Sequence, residues 1–280
     1  MNILYCGDKN IGDGVLLSVL SLTKHVQEPL HIYILTMRYA AGDKTYECLP
    51  RSFADALDRR VKAQNVDSTV TWIDASMLFA AQPPTANLGT RFTPCCMLRL
   101  YADQIAALPD RILYLDNDVL CRADITDFYA QDMDGCELCG VLDHYGKWFF
   151  QKNLCKFDYL NSGVLLLNLA EIRKTGLFAR CRDRCATKQM FMPDQSALNK
   201  LAARKKTAPR RYNEQRKLQK DTVLQHFTTS FRFLPWFHAV SVKPWQIDRM
   251  HGVLKLHEYD GLLSEYLSLK AAYEKGDHHG

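Results

Sequence analysis

The chain has 280 residues, enough for one large α/β domain with a substantial core or for two small ones. It is 47% hydrophobic and 24% charged, as in soluble globular enzymes, and no apolar run approaches the ~18 residues needed to span a bilayer. The formal charge of +5 is mildly basic and fits a polyanionic ligand or an anionic membrane surface.

The opening Met1-Asn2-Ile3-Leu4-Tyr5 has neither a basic segment nor a long apolar one, so no signal peptide and a cytoplasmic location are expected. Ten cysteines are then reduced thiols. Cys136 and Cys139 have zinc-like spacing, but no second pair of similar quality follows and they flank a strand-like run, so they read as structural.

In chain order, Ile3 to Gly7 is a short apolar strand ending at Asp8. Val15 to Leu22 has helical spacing, and His31 to Thr36 is a second strand. Ser52 to Ala63 is a charged amphipathic helix with Phe53, Ala56, Leu57 and Val61 on one side, and Val70 to Ile73 is a third strand. Pro83-Pro84 leads through a loop to a helix from about Cys96 to Ala107. Arg111 to Leu115 is the strongest buried-strand signal; Leu138 to Leu142 and Gly163 to Leu169 are further strands. Glu171 to Thr187 and Gln195 to Leu201 are predicted helices, as is Leu262 to Tyr273. Strands alternating with helices predict a mixed or parallel sheet covered on both faces. Between Arg204 and Lys220 the composition shifts, with eight Lys and Arg against one Glu.

Strand Arg111–Leu115 runs straight into Asp116-Asn117-Asp118. Ligands of doubly wound sheets bind beyond the carboxyl ends of the strands. Two carboxylates one residue apart in a turn there can share one hard cation, and Mg²⁺ or Mn²⁺ is commonly held by one or two carboxylates plus substrate phosphates. A solvated Asp/Asn turn is the plain alternative.

The run Leu113-Tyr114-Leu115-Asp116-Asn117-Asp118-Val119-Leu120 resembles the D-x-D segment of the family 8 retaining glycosyltransferases, which include bacterial lipopolysaccharide galactosyl- and glucosyltransferases and glycogenin. The resemblance covers most of the chain and implies an α/β fold of the GT-A type, a Rossmann-like single domain over 1–250 with a mixed central sheet, followed by a helical tail over 251–280. It implies uracil binding through Asp8 and Asn10, and sugar or phosphate contact through Arg99 and Asp143. Asn117, and Asn161 with Ser162 in Asn161-Ser162-Gly163-Val164-Leu165, fall among the donor-binding positions. Asp194 and Gln195 match the pair beside the anomeric carbon, His226 the third metal ligand, and Lys243 of Lys243-Pro244-Trp245 the diphosphate contact. The residues themselves leave other readings open. Asp8 and Asp194 can cap helices, Arg99 can pair with Asp103 at i,i+4, and Asn161 can be a turn residue.

Two positions depart from the family pattern. Seventeen positions separate His226 from Lys243, with Thr228-Thr229-Ser230 where glycine is usual, so Arg232 stands beside Lys243 as a diphosphate contact. Ile11 replaces an aromatic that often stacks on uracil. The implied activity is transfer of glucose or galactose from a UDP-sugar to a hydroxyl of a cell-surface glycan or glycolipid, dependent on Mn²⁺ or Mg²⁺, with retention. No nucleic-acid partner is expected. The rivals are a sugar nucleotidyltransferase, which wants a Gly-rich basic loop near the N-terminus, and a catalytically silent protein that binds sugar nucleotide or membrane. The basic stretch and the apolar residues Leu262, Leu263, Tyr266, Leu267 and Tyr273 raise the expectation of peripheral association with an anionic membrane face, against the plainer reading of a solvated loop and a packed helix.

Overall fold

The computed structural model describes residues 1–90, 93–144, 158–232 and 238–277, with backbone only at 230–232, 238 and 274–277. Cys155 lies outside these residues, and so does the side chain of Arg232.

The central sheet is seven-stranded: β1 (Asn2–Gly7), β2 (His31–Thr36), β5 (Thr69–Asp74), β6 (Arg111–Leu115), β8 (Leu138–Leu142), β9 (Leu160–Asn168) and β10 (Lys205–Thr207). The remaining strands are the hairpin β3 (Tyr39–Ala41) and β4 (Lys44–Tyr46), and the short strands β7 (Val119–Cys121), β11 (Leu224–His226), β12 (Ser230–Arg232) and β13 (His238–Val240). The sheet order is β10-β8-β9-β6-β1-β2-β5. β9 runs antiparallel to both its neighbours, β6 and β8, while the other pairs are parallel, so the sheet is mixed, as expected.

The sheet is apolar on both faces, as a strand covered on both sides must be. Along β1, Ile3 and Tyr5 enter one core and Leu4 the other; along β6, Leu113 and Leu115 enter the first, Ile112 and Tyr114 the second. Helices Gly12–His25 and Arg51–Gln64 cover the first face, and the segment Pro94–Gln104 with the helices Leu177–Thr187 and Pro193–Leu201 covers the second. The chain winds outward from β1 through β2 to β5, then returns to place β6 on the other side of β1. The crevice above the ends of β1 and β6 is therefore a topological switch point, the place where such sheets bind ligands.

Several expectations change in detail. Pro94–Gln104 is a 3₁₀ helix rather than an α-helix. The helix expected over Glu171 to Thr187 is two, Leu169–Thr175 and Leu177–Thr187, because Gly176 (φ 66°) takes the left-handed conformation that ends a helix and is open to glycine. The basic stretch is not all loop. It contributes strand β10 and buries Tyr212, Asn213, Glu214 and Gln215.

The C-terminal helix Asp260–Asp277 packs on helix Gly12–His25, and Leu262, Leu263 and Tyr266 join Leu17 and Leu20 in a third core. Ion pairs of Glu265 with Lys24 (2.9 Å) and Arg60 (2.7 Å), and of Lys270 with Asp13 (2.8 Å), flank that contact. The apolar residues considered for a membrane face are thus largely spent on the core; Leu267 is the exposed one. Among the described residues no helix is long and apolar enough to cross a membrane.

Candidate active site

Asp116 sits one residue past the end of β6, where its N–H still donates to Gly163 O on β9 (2.8 Å). The chain then turns, with Val119 N–H donating to Asp116 O (3.2 Å), and enters β7. β7 pairs antiparallel with β11 so that Val119 lies opposite His226, and Phe227 N–H donates to Asp118 O (3.0 Å). This two-stranded ladder brings a histidine more than a hundred positions away onto the Asp116-Asn117-Asp118 turn.

His226 Nε2 lies 3.2 Å from Asp118 Oδ1 and 3.6 Å from Asp116 Oδ2. The three donor groups lie within 4.8 Å of one another. Arg99 Nη2 (3.0 Å) and the Tyr114 hydroxyl (2.6 Å) both donate to Asp116 Oδ1, which leaves Oδ2 facing the histidine. Lys243 Nζ takes Asp118 Oδ2 and donates also to Phe227 O (3.1 Å). Burial pushes the Asp118 carboxyl up, but the charges and hydrogen bonds of Lys243 and His226 outweigh it and hold the group well below the usual carboxylate range.

Gly163 forms the floor of this triad. A Cβ there would stand 2.7 Å from Asp116 Oδ2 and 2.7 Å from His226 Nδ1, so only glycine leaves the space open. Two carboxylates, one imidazole and a cradle closed to any side chain fit a divalent cation such as Mn²⁺. The charge balance agrees. Besides His226, the ion-pair partners of Asp116, Asp118 and Asp194 among the described residues are Arg99 and Lys243, so three carboxylates meet two fixed cations and added cationic charge is accommodated there.

Beside the triad lies a second buried cluster. Arg99 Nε is 3.4 Å from Asp194 Oδ2, and its guanidinium stacks 3.8 Å from the Tyr114 ring centroid. Burial raises the Asp194 carboxyl above its ordinary value, against the lowering pull of Arg99. Gln195 Oε1 accepts from Ser162 N–H (2.9 Å) and Ser162 Oγ (3.2 Å), while Gln195 Nε2 donates to Asp143 Oδ2 (3.0 Å). Asn161 Nδ2 also donates to Asp143 Oδ2 (2.9 Å). Asp8, at the end of β1, accepts from the Asn10 backbone N–H and from Asn10 Nδ2, both at 3.0 Å.

The alternatives left open by the sequence now resolve. Arg99 does not pair with Asp103, which instead binds Arg182; Arg99 points inward to Asp116 and Asp194. Asn161 and Ser162 belong to strand β9 rather than a turn. Asp8 does cap the short turn Lys9–Ile11, and it holds Asn10 in doing so. Asn117 is the residue not brought to the cluster. Its side chain lies toward helix Gly12–His25, where a Cβ on Gly14 would meet Nδ2 at 2.7 Å and the Trp245 ring at 2.8 Å. Asn213 is the residue the sequence reading missed. It is fully buried, accepts at Oδ1 from His226 Nδ1 (3.2 Å) and donates from Nδ2 to Asn161 Oδ1 (2.9 Å). It sits inside the basic stretch, where the charges around it masked it.

Thiol chemistry is disfavoured here. Burial pushes Cys95 up to about 12 and drives Cys6 and Cys96 higher still, so none of these thiols near the site is a thiolate at neutral pH. Cys136 and Cys139 are free, and neither belongs to a metal-type cluster among the described residues.

A switch-point crevice carrying two strand-end carboxylates, a histidine and flanking cations has a donor set that could hold a divalent cation. The chain belongs to glycosyl transferase family 8, whose model matches residues 2–248. It is an enzyme of the glycosyltransferase class, which sets aside the nucleotidyltransferase and silent-binder readings. It is 24% identical to a lipopolysaccharide 1,2-glucosyltransferase of Escherichia coli, over 92% of this chain and 83% of that protein. A second such enzyme, from Escherichia coli strain K12, is 26% identical over 72% of this chain and 58% of its own length. The fold is the GT-A fold of the galactosyltransferase LgtC. A structure of LgtC with donor and acceptor sugar analogues superposes with a TM-score of 0.64 at 17% identity, covering 95% of this chain and 96% of that one. An active-site mutant of LgtC gives a TM-score of 0.67 at 17% identity over 97% and 96%.

Proposed function

We propose that the chain transfers a hexose, glucose or galactose, from a UDP-sugar to a hydroxyl of a cell-envelope glycan or glycolipid, with retention of configuration. The observation that carries this reading is the convergence of Asp116, Asp118 and His226 at the switch point, beside Asp8 and Asn10 on one side and Asp194 and Gln195 on the other. Similarity to lipopolysaccharide glucosyltransferases supports the acceptor class. Residues 1–250 form the catalytic unit in this reading, and 251–280 the tail.

Asp116, Asp118 and His226 would hold Mn²⁺ or Mg²⁺, which when bound neutralises charge on a departing diphosphate. The protein supplies the rest. Asp8 and Asn10 offer a paired acceptor and amide to the uracil edge. Lys243 is the described cation nearest to Asp118, and in this role it adds positive charge for the diphosphate. Asp143, steadied by Asn161 and Gln195, accepts hydroxyls of the donor hexose. Gln195 Oε1, fixed in place by Ser162, can turn its partial negative charge to the positive charge that builds on the sugar, and Asp194 adds to that field.

Turnover of UDP-hexose, followed as UDP release with and without Mn²⁺, tests the reading. Release should require Mn²⁺, and UDP should inhibit at lower concentration than GDP or ADP. Equal inhibition by the three nucleotides would remove the uracil pocket and leave a diphosphate site alone.

The membrane reading rests on the basic stretch now that Leu262, Leu263 and Tyr266 of the tail are buried in the core. Arg204, Arg210, Arg211, Arg216, Lys217 and Lys220 are exposed, although Arg210 also pairs with Glu214 (2.6 Å). At about 1 kcal/mol for each basic residue near an anionic bilayer, several acting together suffice for reversible binding. Co-sedimentation with anionic vesicles at low salt, fading as salt rises, is the expected result. No enrichment over neutral vesicles would rule this association out.

A further inference from the structure

The hydrogen bonds behind His226 form one directed chain, and its direction is set at the far end. Asp143 stands there, and an ionised carboxylate only accepts. Its Oδ2 receives Asn161 Nδ2 (2.9 Å) and Gln195 Nε2 (3.0 Å). An amide that spends its NH₂ on a carboxylate must turn its oxygen the other way. Asn161 Oδ1 does so, accepting from Gly163 N–H (3.0 Å) and from Asn213 Nδ2 (2.9 Å). The Gly163 N–H can only donate, so it imposes the same orientation on Asn161 independently. With its NH₂ committed to Asn161, Asn213 presents Oδ1 onward, 3.2 Å from His226 Nδ1. An amide oxygen only accepts, so Nδ1 bears a hydrogen, and Nε2, 3.2 Å from Asp118 Oδ1 and 3.6 Å from Asp116 Oδ2, is the nitrogen left to meet a cation. Every member of the chain is buried: Asp143 at 6% exposure, Asn161 at 7%, Asn213 at 0% and His226 at 6%.

We propose that Asn213 is the positioning residue of the metal ligand, and that Asp143, through two amides, dictates which imidazole nitrogen of His226 meets the cation. The inference rests on the metal centre of the proposed function. It assigns Asp143 a second task, since the group that would receive the donor hexose also orients the cation's histidine. Partners that hold the far nitrogen of a metal-bound histidine fix its ring and its tautomer in just this way.

Mn²⁺ binding, read from the free-ion EPR signal without nucleotide, tests this in the wild type, Asn213→Ala and Asn213→Asp. Asn213→Ala should bind roughly 10- to 100-fold more weakly, while Asn213→Asp, which keeps an oxygen opposite Nδ1–H but loses the N–H to Asn161 Oδ1, should fall between Asn213→Ala and the wild type. Wild-type affinity in Asn213→Ala overturns the proposal. So does equal weakness in both variants when both melt at the wild-type temperature. A second readout needs no variant. In Cd²⁺-loaded wild type with ¹⁵N-labelled histidine, long-range ¹H–¹⁵N correlations should show His226 protonated at Nδ1 and bound to cadmium through Nε2; the reverse assignment overturns it. Asp118→Asn is the control for the underlying reading. If it binds Mn²⁺ as the wild type does, the metal centre itself is misplaced, whereas failure confined to the Asn213 variants leaves that centre standing.

Discussion

Asp118→Asn should fold as the wild type does and lose turnover of UDP-hexose by roughly 10³-fold or more, the equivalent of about 4 kcal/mol of charge stabilisation. Asparagine keeps the shape of the side chain and one acceptor oxygen, so the contact at 3.2 Å to His226 Nε2 can persist as a polar contact. What goes is the negative charge. The aspartate is held ionised in the folded protein by Lys243 and His226 against the cost of burial, and that charge is the one placed nearest both groups. Lys243 is not stranded by the change, because it retains Phe227 O at 3.1 Å and its side chain is 31% exposed. The measurement is UDP release across a Mn²⁺ titration, beside a thermal melt by circular dichroism. A variant that melts normally and turns over at the wild-type rate would show that the cation is held elsewhere.

The parts of this architecture that were legible in the sequence are those written in local pattern. β1, β2 and β6 are short apolar runs that end in Gly7, Thr36 and Leu115, and the strand-end position of Asp116 follows from the last of them. A buried strand and a following Asp-x-Asp need no knowledge of the rest of the chain. The β7 and β11 pairing was not legible in the same way. Three residues each, Val119–Cys121 and Leu224–His226, are too few to show a period, and their stability comes from pairing with each other across about a hundred residues. His226 was reached through family resemblance, since a lone histidine between Gln225 and Phe227 carries no ligand signal by itself. Asn213 had no resemblance to point to it. Its neighbours Arg210, Arg211 and Arg216 suggest a solvated loop, yet Tyr212 stacks on Phe128 with ring centroids 4.8 Å apart and pulls the backbone inward. Asn117 could not be oriented from the motif alone: its side chain lies toward helix Gly12–His25, and its expected part in donor binding stands as a proposal.

Gly163→Ala should be nearly as damaging as loss of a ligand, although it removes no functional group. Gly163 lies in β9, where its carbonyl receives Asp116 N–H at 2.8 Å and its N–H donates to Asn161 Oδ1 at 3.0 Å. Its missing side chain is the space between Asp116 Oδ2 and His226 Nδ1, each 2.7 Å from where a Cβ would stand. Neither neighbour can yield cheaply. Asp116 is pinned through Oδ1 by Arg99 and Tyr114, and His226 is backed by Asn213. Alanine does gain something, because it restricts the unfolded chain more than glycine does, by roughly 0.5–1 kcal/mol. Overpacking a rigid site costs about 1–3 kcal/mol, so the net effect is destabilising. The larger consequence is geometric. Moving either ligand by a few tenths of an ångström spoils the convergence of the three donors, and Mn²⁺ affinity should fall at least roughly tenfold, as it does when the supports of metal ligands are disturbed. Gly261→Ala, where a Cβ meets nothing within 4 Å, is the matched control and should leave Mn²⁺ affinity unchanged while raising stability by about 0.5–1 kcal/mol. Mn²⁺ titration and thermal melts of the two variants make the comparison. Wild-type metal affinity in Gly163→Ala would mean that the cation does not sit over β9, and that the cleft between Asp116 and His226 serves packing alone.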